Sequence, residues 1–150
     1  MALNPKRNYY TVVISSYVIF QRGDRVLFAR RCNTGYRDGE YSVPAGHIEE
    51  GEFATAAAIR EIQEEVGVMI EPKDLQPAHI MHRHCEDHER IDFFFTCEKW
   101  TGEITNTEPD KCDDIQWFTL EQLPANTIPY IRAALESYRD EHFFSEFTES

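Results

Sequence analysis

An α/β sandwich built around a mixed β-sheet is the fold class this sequence predicts, on three observations. Tyr9–Phe20 and Arg90–Trp100 are rich in β-branched and aromatic residues, the composition of buried strands. Glu52–Val66, and a stretch from Ile128 or Pro129 to about Phe144, carry helix-forming or helically spaced apolar residues. These segments follow one another without strict strand–helix alternation, so the sheet is expected to be mixed rather than all parallel.

Taken in order, Tyr9–Phe20 reads as a strand, Arg22-Gly23-Asp24 as a turn, and Val26–Arg30 as the partner strand of a hairpin. Cys32–Glu40 contains Asn33, Gly35, Asp38 and Gly39 and reads as a loop. Tyr41–Val43 forms a short strand stopped by Pro44, and Gly46–Gly51 a second loop. Glu52–Val66 follows as a helix, with Ala54, Ala56, Ala57 and Ala58 as strong formers and Gly67 as its stop. Pro77–Cys85 and Arg90–Trp100 read as two strands joined around Glu86, Asp87 and His88, with Phe93 and Phe95 on the face opposite Phe94. Gly102–Cys112 is polar and reads as a loop, Asp114–Phe118 as a strand, and Leu120–Leu123 as a helical turn ended by Pro124. In the last helix Ile131, Ala134, Leu135 and Tyr138 recur at helical spacing, and Pro129 suits its first turn. The tail, SEFTES, is expected to fray.

The 150 residues are expected to form a single domain, residues 1–150, long enough for a substantial core. The chain is 41% hydrophobic and 13% aromatic, a soluble globular composition, and no run approaches the length that spans a bilayer. After Lys6 and Arg7 come Asn8, Tyr9, Tyr10 and Thr11 instead of a long apolar run, so no signal peptide is expected. The four cysteines form no CxxC pair and read as reduced thiols of a cytoplasmic protein. The net charge of −12 argues against a nucleic-acid polymer as partner. It leaves room for a small polyphosphate, whose charge metal ions and a few arginines neutralise.

One segment carries the chemistry. Between Gly46 and Val68 the sequence runs GHIEEGEFATAAAIREIQEEVGV. Residues three and four apart share a helix face, so Glu61, Glu64 and Glu65 stack carboxylates within one turn. Like charges at that spacing repel, a cost offset when a hard divalent cation sits among them, and Mg²⁺ is the usual oxygen-ligated candidate. Gly46, Glu52, Arg60, Glu61, Ile62, Glu64, Glu65, Gly67 and Val68 also match the Nudix box, residues 46–68, position by position.

The chain thus resembles a Nudix hydrolase, with a pattern similar to the MutT-type nucleoside triphosphate pyrophosphohydrolases. The resemblance implies the Nudix fold, an α/β/α sandwich with a central mixed β-sheet. It also implies hydrolysis of a nucleoside diphosphate linked to another group, with Mg²⁺ or Mn²⁺ as cofactor. Glu61, Glu64 and Glu65 are the expected metal ligands, and by resemblance the Gly46 carbonyl joins them. The family gives Glu52 and Arg60 supporting roles, consistent with an arginine–carboxylate pair orienting metal ligands. The competing reading is a solvated acidic helix face. Ala45 stands where many members have glycine, which weakens any requirement for positive φ at that position.

Outside the box, the position of Arg30 matches an arginine the family uses on substrate; a surface arginine is the competing reading. Trp100–Glu108 is similar to a MutT segment whose later glutamate lies near the metals, making Glu108 a candidate general base and Glu103 the fallback. Pro124-Ala125-Asn126 resembles a MutT run whose asparagine reads a purine edge, and a helix-start or turn role competes for Asn126. Trp117 and Phe118 resemble a tryptophan–phenylalanine pair, one ring of which is a candidate for stacking on a base, with core packing as the competing role. His79, His82, His84, Cys85 and His88 do not have the spacing of standard zinc sites and read as pocket lining or a solvated hairpin.

Subfamily markers for ADP-ribose or dinucleoside polyphosphates are missing around Arg83–Glu86, which favours a (d)NTP or an oxidised (d)NTP, cleaved to NMP and pyrophosphate. Hydrolysis of NDP-sugars or related diphosphates, and a catalytically silent nucleotide-binding module, are the alternatives. The expected partner is a small nucleotide, with no membrane. Dimers are common in the family, although no stretch of the sequence marks an interface.

Overall fold

The computed structural model describes residues 1–150. Strands β1 (Val13–Arg22) and β2 (Arg25–Arg31) form the first hairpin, turning through Gly23 at φ 64°. Short strands β3 (Tyr41–Ser42) and β4 (Ala45–His47) lead to helix α1 (Ala54–Val66). A 3-10 turn at Pro72–Asp74 precedes β5 (Leu75–His84) and β6 (Glu89–Cys97). Strand β7 (Cys112–Thr119), helix α2 (Pro129–Arg139) and β8 (Phe144–Thr148) complete the chain. The sheet is mixed: the order runs β3-β2-β1-β6-β5-β8, with β4 also on β1 and β7 also on β2. Strands β1 and β6, and β5 and β8, pair parallel; the other pairs are antiparallel. No helix is long and apolar enough to cross a membrane.

Period-two alternation divides the core between the two faces of the sheet. On one face Val18, Phe20, Leu27 and Phe95 pack against Ala58, Ile62 and Val66 of α1. On the other, Tyr17, Ile19, Phe28, Met81 and Phe94 pack against Ile131, Ala134 and Leu135 of α2. Both faces of β1 and β6 are covered, which explains why their central residues read as unbroken apolar runs. The phenylalanines divide as the alternation predicts: Phe93 and Phe95 face α1, whereas Phe94 stacks on Tyr17 at 4.5 Å.

Several boundaries move. The first strand begins at Val13, where pairing with Arg90 of β6 begins; Tyr9 and Tyr10 have no strand partner and are exposed. Gly46 and His47, expected to open a loop, instead pair with Ser16 and Ser15 as part of β4. Residues 120–123 form a turn, not a helical one. Helix α2 stops at Arg139, and the tail expected to fray is instead an edge strand alongside β5, from Ile80↔Phe144 to His84↔Thr148. Local composition suggested fraying, but a neighbouring strand edge with free backbone groups recruits the segment.

The first hairpin parts as it runs. Only Gln21↔Val26 and Arg22↔Arg25 are registered between β1 and β2. Beyond that, β1 takes β4 as neighbour and β2 takes β3 and β7. A cleft of about 750 Å³ lies where they diverge, lined by residues of β1, β2, β4, β5 and α1 and by the loops after β2, β5 and before β7.

Candidate active site

Helix α1 supplies one wall of this region. Gly67 ends it in the left-handed conformation, φ 73°, donating its N–H to Gln63 O, a conformation costly for a side chain with a Cβ. The loop after β6 satisfies the carbonyls the helix leaves open. Thr105 N–H donates to Val66 O at 3.0 Å, Thr107 N–H to Glu65 O at 3.2 Å, and the Thr107 hydroxyl to Glu64 O. That capping places Glu108 at the cleft beside Glu65. Asn106 Oδ1 accepts the Glu108 N–H at 3.1 Å and fixes the loop.

Strand β4 meets the helix closely. A Cβ on Gly46 would overlap Cγ, Cδ and Oε1 of Glu61, so the Glu61 carboxyl rests against the Gly46 backbone. Any side chain at this position would force the Glu61 carboxyl to move, whereas the φ of Gly46 is not positive and sets no such constraint. One residue earlier, the Ala45 N–H donates to Glu65 Oε2 at 3.2 Å. Burial, then the Glu61 carboxylate, push Glu65 up to about 8, and burial also moves Glu61 upward. A cation among these groups acts in the opposite direction.

Arg60 braces the wall from behind. Its guanidinium forks onto Glu52, Nε to Oε2 at 2.8 Å and Nη2 to Oε1 at 2.9 Å. Nη1 donates to Glu61 Oε1 at 2.7 Å, and Nη2 also reaches the His47 carbonyl at 3.1 Å. These contacts, with the Glu49 N–H, hold the Glu52 carboxyl down at about 2. Glu64 lies on the outer flank, more than half exposed, with Oε2 3.7 Å from Arg60 Nη1. Gly46, Glu61, Glu64 and Glu65 present oxygen donors only, and the Gly46 contact is a cradle that a methyl group would fill. The residues therefore fit a hard divalent cation.

The other candidates separate. Arg30 lines the cleft, with Nε bonded to Asp113 Oδ1 at 2.7 Å. Asn126 is outside the lining: its Nδ2 donates to Gly39 O at 2.8 Å and its carbonyl accepts Tyr41 N–H, so it braces the loop of residues 32–40. Trp117 is also not brought to the cleft. It stacks on Trp100 at 6.3 Å beneath Arg22, in the α1-side core, because alternation along β7 turns it there. Glu103 is exposed and outside the lining. Of the histidines of β5 and the loop after it, only His88 lines the cleft, where His47 of β4 joins it; His79 is buried, bonded to His142 O and Ser145 Oγ.

The far end of the cleft holds groups the sequence did not single out. Arg83, 3% exposed, lies over the Tyr130 ring with its Cζ 3.6 Å from the centroid. Its Nε donates to Asp92 Oδ2 at 3.0 Å and its Nη1 to Glu149 Oε2 at 2.6 Å. Glu149 also accepts from the Tyr36 hydroxyl at 2.6 Å and Arg37 Nη2 at 3.2 Å. Burial pushes Glu149 up, but the bonds from Tyr36 and Arg83 outweigh it and the net shift is downward. Arg90 donates from Nη2 to Ser15 Oγ at 2.8 Å, whereas its buried Nε has no hydrogen-bond partner. These groups come from five segments remote in sequence; the one available signal was arginine placed within strands that otherwise read as apolar.

A mixed sheet between two helices, with a loop–helix carboxylate wall at a cleft, defines a class of hydrolase built to hold divalent metal. The comparisons agree: residues 10–138 match the family model of the NUDIX domain, and the chain belongs to the Nudix hydrolase family. It is 34% identical over 119 residues to the NAD-capped RNA hydrolase NudC of Stutzerimonas stutzeri (strain A1501), covering 79% of this chain and 41% of that one. It is 38% identical to NudC of Pseudomonas fluorescens (strain Pf0-1) over 79% of this chain and 40% of that one. The chain therefore spans about two fifths of the length of these curated relatives. Among solved structures, a MutT NUDIX hydrolase from Burkholderia pseudomallei superposes with TM-score 0.76 at 24% identity, covering 84% of this chain and 97% of that one. A UDP-X diphosphatase does so with TM-score 0.66 at 17% identity, covering 94% of this chain and 70% of that one. At such identities these two establish the fold alone.

Two predictions arise from this geometry. Gly46→Ala displaces the Glu61 carboxyl, and divalent-metal affinity measured by titration is expected to fall about tenfold or more with the circular dichroism spectrum unchanged. Wild-type affinity would show that Glu61 swings aside freely. Separately, Arg83→Met leaves Asp92, 0% exposed, without its main partner, and is expected to cost about 3–5 kcal/mol in urea unfolding. Arg83→Met with Asp92→Leu should recover much of that loss.

Proposed function

We propose that this chain hydrolyses a phosphoanhydride of a nucleoside diphosphate joined to a further group. Mg²⁺ or Mn²⁺ would be held by the Gly46 carbonyl, Glu61, Glu64 and Glu65. The observation that carries the reading is the packing of the α1 carboxylates on β4, with Gly46 and Glu65 lining a cleft whose other walls supply Arg30, Arg31, Arg37 and Arg90, while Glu61 and Glu64 lie outside that lining. Bound there, divalent cations neutralise phosphate charge and lower the pKa of water.

The protein's own groups do the rest. Arg60, forked onto Glu52 and bonded to Glu61, fixes the direction in which the Glu61 carboxylate points. In this reading Glu108, which the loop capping α1 brings to the cleft, accepts a proton from attacking water. Arg30 and Arg31 enter from β2 with guanidinium groups suited to phosphate oxygens. The Asp113 contact at Arg30 is largely solvent-exposed, so exchanging it for a phosphate costs little.

For the substrate, a (d)NTP or oxidised (d)NTP cleaved to NMP and pyrophosphate is one reading, slightly favoured by the missing subfamily markers around Arg83–Glu86. A second reading, cleavage of an NAD-like dinucleotide diphosphate into two monophosphates, is favoured by two observations. The cleft continues past the carboxylates to Tyr17, Tyr36 and Tyr130, and the curated relatives carry the name of NAD-capped RNA hydrolases. The net charge of −12 weighs against long-range attraction of the RNA part.

A screen of (d)NTPs, NDP-sugars, NAD and NAD-capped RNA with Mg²⁺ at pH 8 separates the readings by product. Pyrophosphate marks triphosphate cleavage, and paired monophosphates mark dinucleotide or NDP-sugar cleavage. No turnover of any of them would leave a silent nucleotide-binding module. On the substrate that turns over, Glu64→Gln is expected to lower kcat about a hundredfold or more. Wild-type kcat in that variant would refute the metal assignment.

A further inference from the structure

Strand alternation turns His82, His84 and Glu89 to the sheet face opposite Arg83 and Arg90. Cross-strand register sets His84 beside Glu89, with His82 two residues along the same face. The three side chains converge. His82 Nε2 lies 3.2 Å and His84 Nε2 3.5 Å from the same Glu89 oxygen, Oε2, and all three atoms lie within 4.8 Å of one another. The two imidazole rings are near-perpendicular, 83°, in an edge-to-face arrangement with centroids 5.1 Å apart. On the next strand Glu146 is registered against His82, which places it on the same face. Helix α1 lies over β1 and β4 and leaves this part of the sheet open to solvent.

Of the two imidazoles only His82 is hydrogen-bonded to Glu89, Nε2 to Oε2 at 3.2 Å; His84 Nε2 lies 3.5 Å from the same oxygen without bonding it. A cation at the convergence point takes a lone pair from each ring. The donor type names the cation. Imidazole nitrogen suits Zn²⁺ and neighbouring transition metals, whereas the all-oxygen wall of α1 suits Mg²⁺ or Mn²⁺. Two histidines and one carboxylate make a three-ligand set known for Zn²⁺ with a position left open.

We propose that His82, His84 and Glu89 form a transition-metal site of the Zn²⁺ class on the sheet face opposite the cleft, with Glu146 placed to supply a fourth ligand. The separation of the two histidines by one residue does not resemble a standard zinc motif because the third ligand comes from across the hairpin. A metal here ties β5 to β6, and through Glu146 to β8. The opposite faces of β5 and β6 hold Arg83, Asp92 and Arg90 at the far end of the cleft.

The test is calorimetric titration of the full chain with Zn²⁺ in saturating Mg²⁺, beside Co²⁺ absorption spectra. Wild type is expected to bind one Zn²⁺ and to develop the visible bands of nitrogen-ligated, four-coordinate Co²⁺. Glu61→Gln with Glu64→Gln should keep both signals. His82→Asn with His84→Asn should lose the Co²⁺ bands and weaken Zn²⁺ at least about tenfold. Glu89→Gln is a second, milder variant at the same site and should weaken Zn²⁺ in the same direction. Both histidines are partly or largely exposed, so the variants should keep the wild-type circular dichroism and melting temperature without Zn²⁺. Zn²⁺ binding that survives loss of both histidines, that disappears in the Glu61/Glu64 variant, or that is missing in wild type would overturn the proposal.

Discussion

Like charges within one helical turn repel, and the arrangement around helix α1 is organised by that repulsion. Glu61, Glu64 and Glu65 occupy such a turn. Arg60 places a guanidinium against Glu61 and Glu52 and draws the charge together from one side. The backbone of β4 closes the other side, with Gly46 under the Glu61 carboxyl and the Ala45 N–H on Glu65. Burial then moves Glu61 upward and pushes Glu65 up to about 8. Left to itself, such a cluster is unfavourable; a divalent cation converts the same geometry into a favourable one.

The site depends equally on a topological event. The β1–β2 hairpin separates after two registered pairs, because β4 takes its place on β1 and β3 and β7 take β2. The opening left by that exchange is the cleft. Glu65 and Glu108 line it on the α1 side, and elsewhere along it Arg83, Tyr36, Arg37 and Glu149 form a connected polar cluster. Arg83 and Asp92 are almost wholly removed from water, so their geometry is tightly determined.

Much was legible in the sequence where the cause is local. The apolar runs of β1 and β6, the alanine-rich helix and its glycine stop, and the division of Phe93, Phe94 and Phe95 between two faces all follow from periods of two and 3.6 residues. The misreadings have non-local causes. The segment after Arg139 looked frayed because it lacks a long apolar run, yet a free sheet edge beside β5 orders it. For Trp117 and Asn126 the sequence already allowed a competing role: Trp117 packs on Trp100 against the α1-side core, on the face of β7 from which Ile115 reaches the cleft, and Asn126 holds a loop carbonyl.

By itself the sequence determined the family and the carboxylate frame, because Gly46, Glu52, Arg60, Glu61, Glu64 and Glu65 lie within one loop and one helix whose spacing is fixed by backbone geometry. Only the tertiary structure decided how that frame is completed. It showed that any side chain at Gly46 would force the Glu61 carboxyl to move and that Glu108 arrives by capping the helix. It also assembled the arginines and tyrosines of the cleft from strands remote in the chain. Such groups are neighbours through sheet register, and register depends on every strand pairing at once, so no single stretch of sequence encodes it.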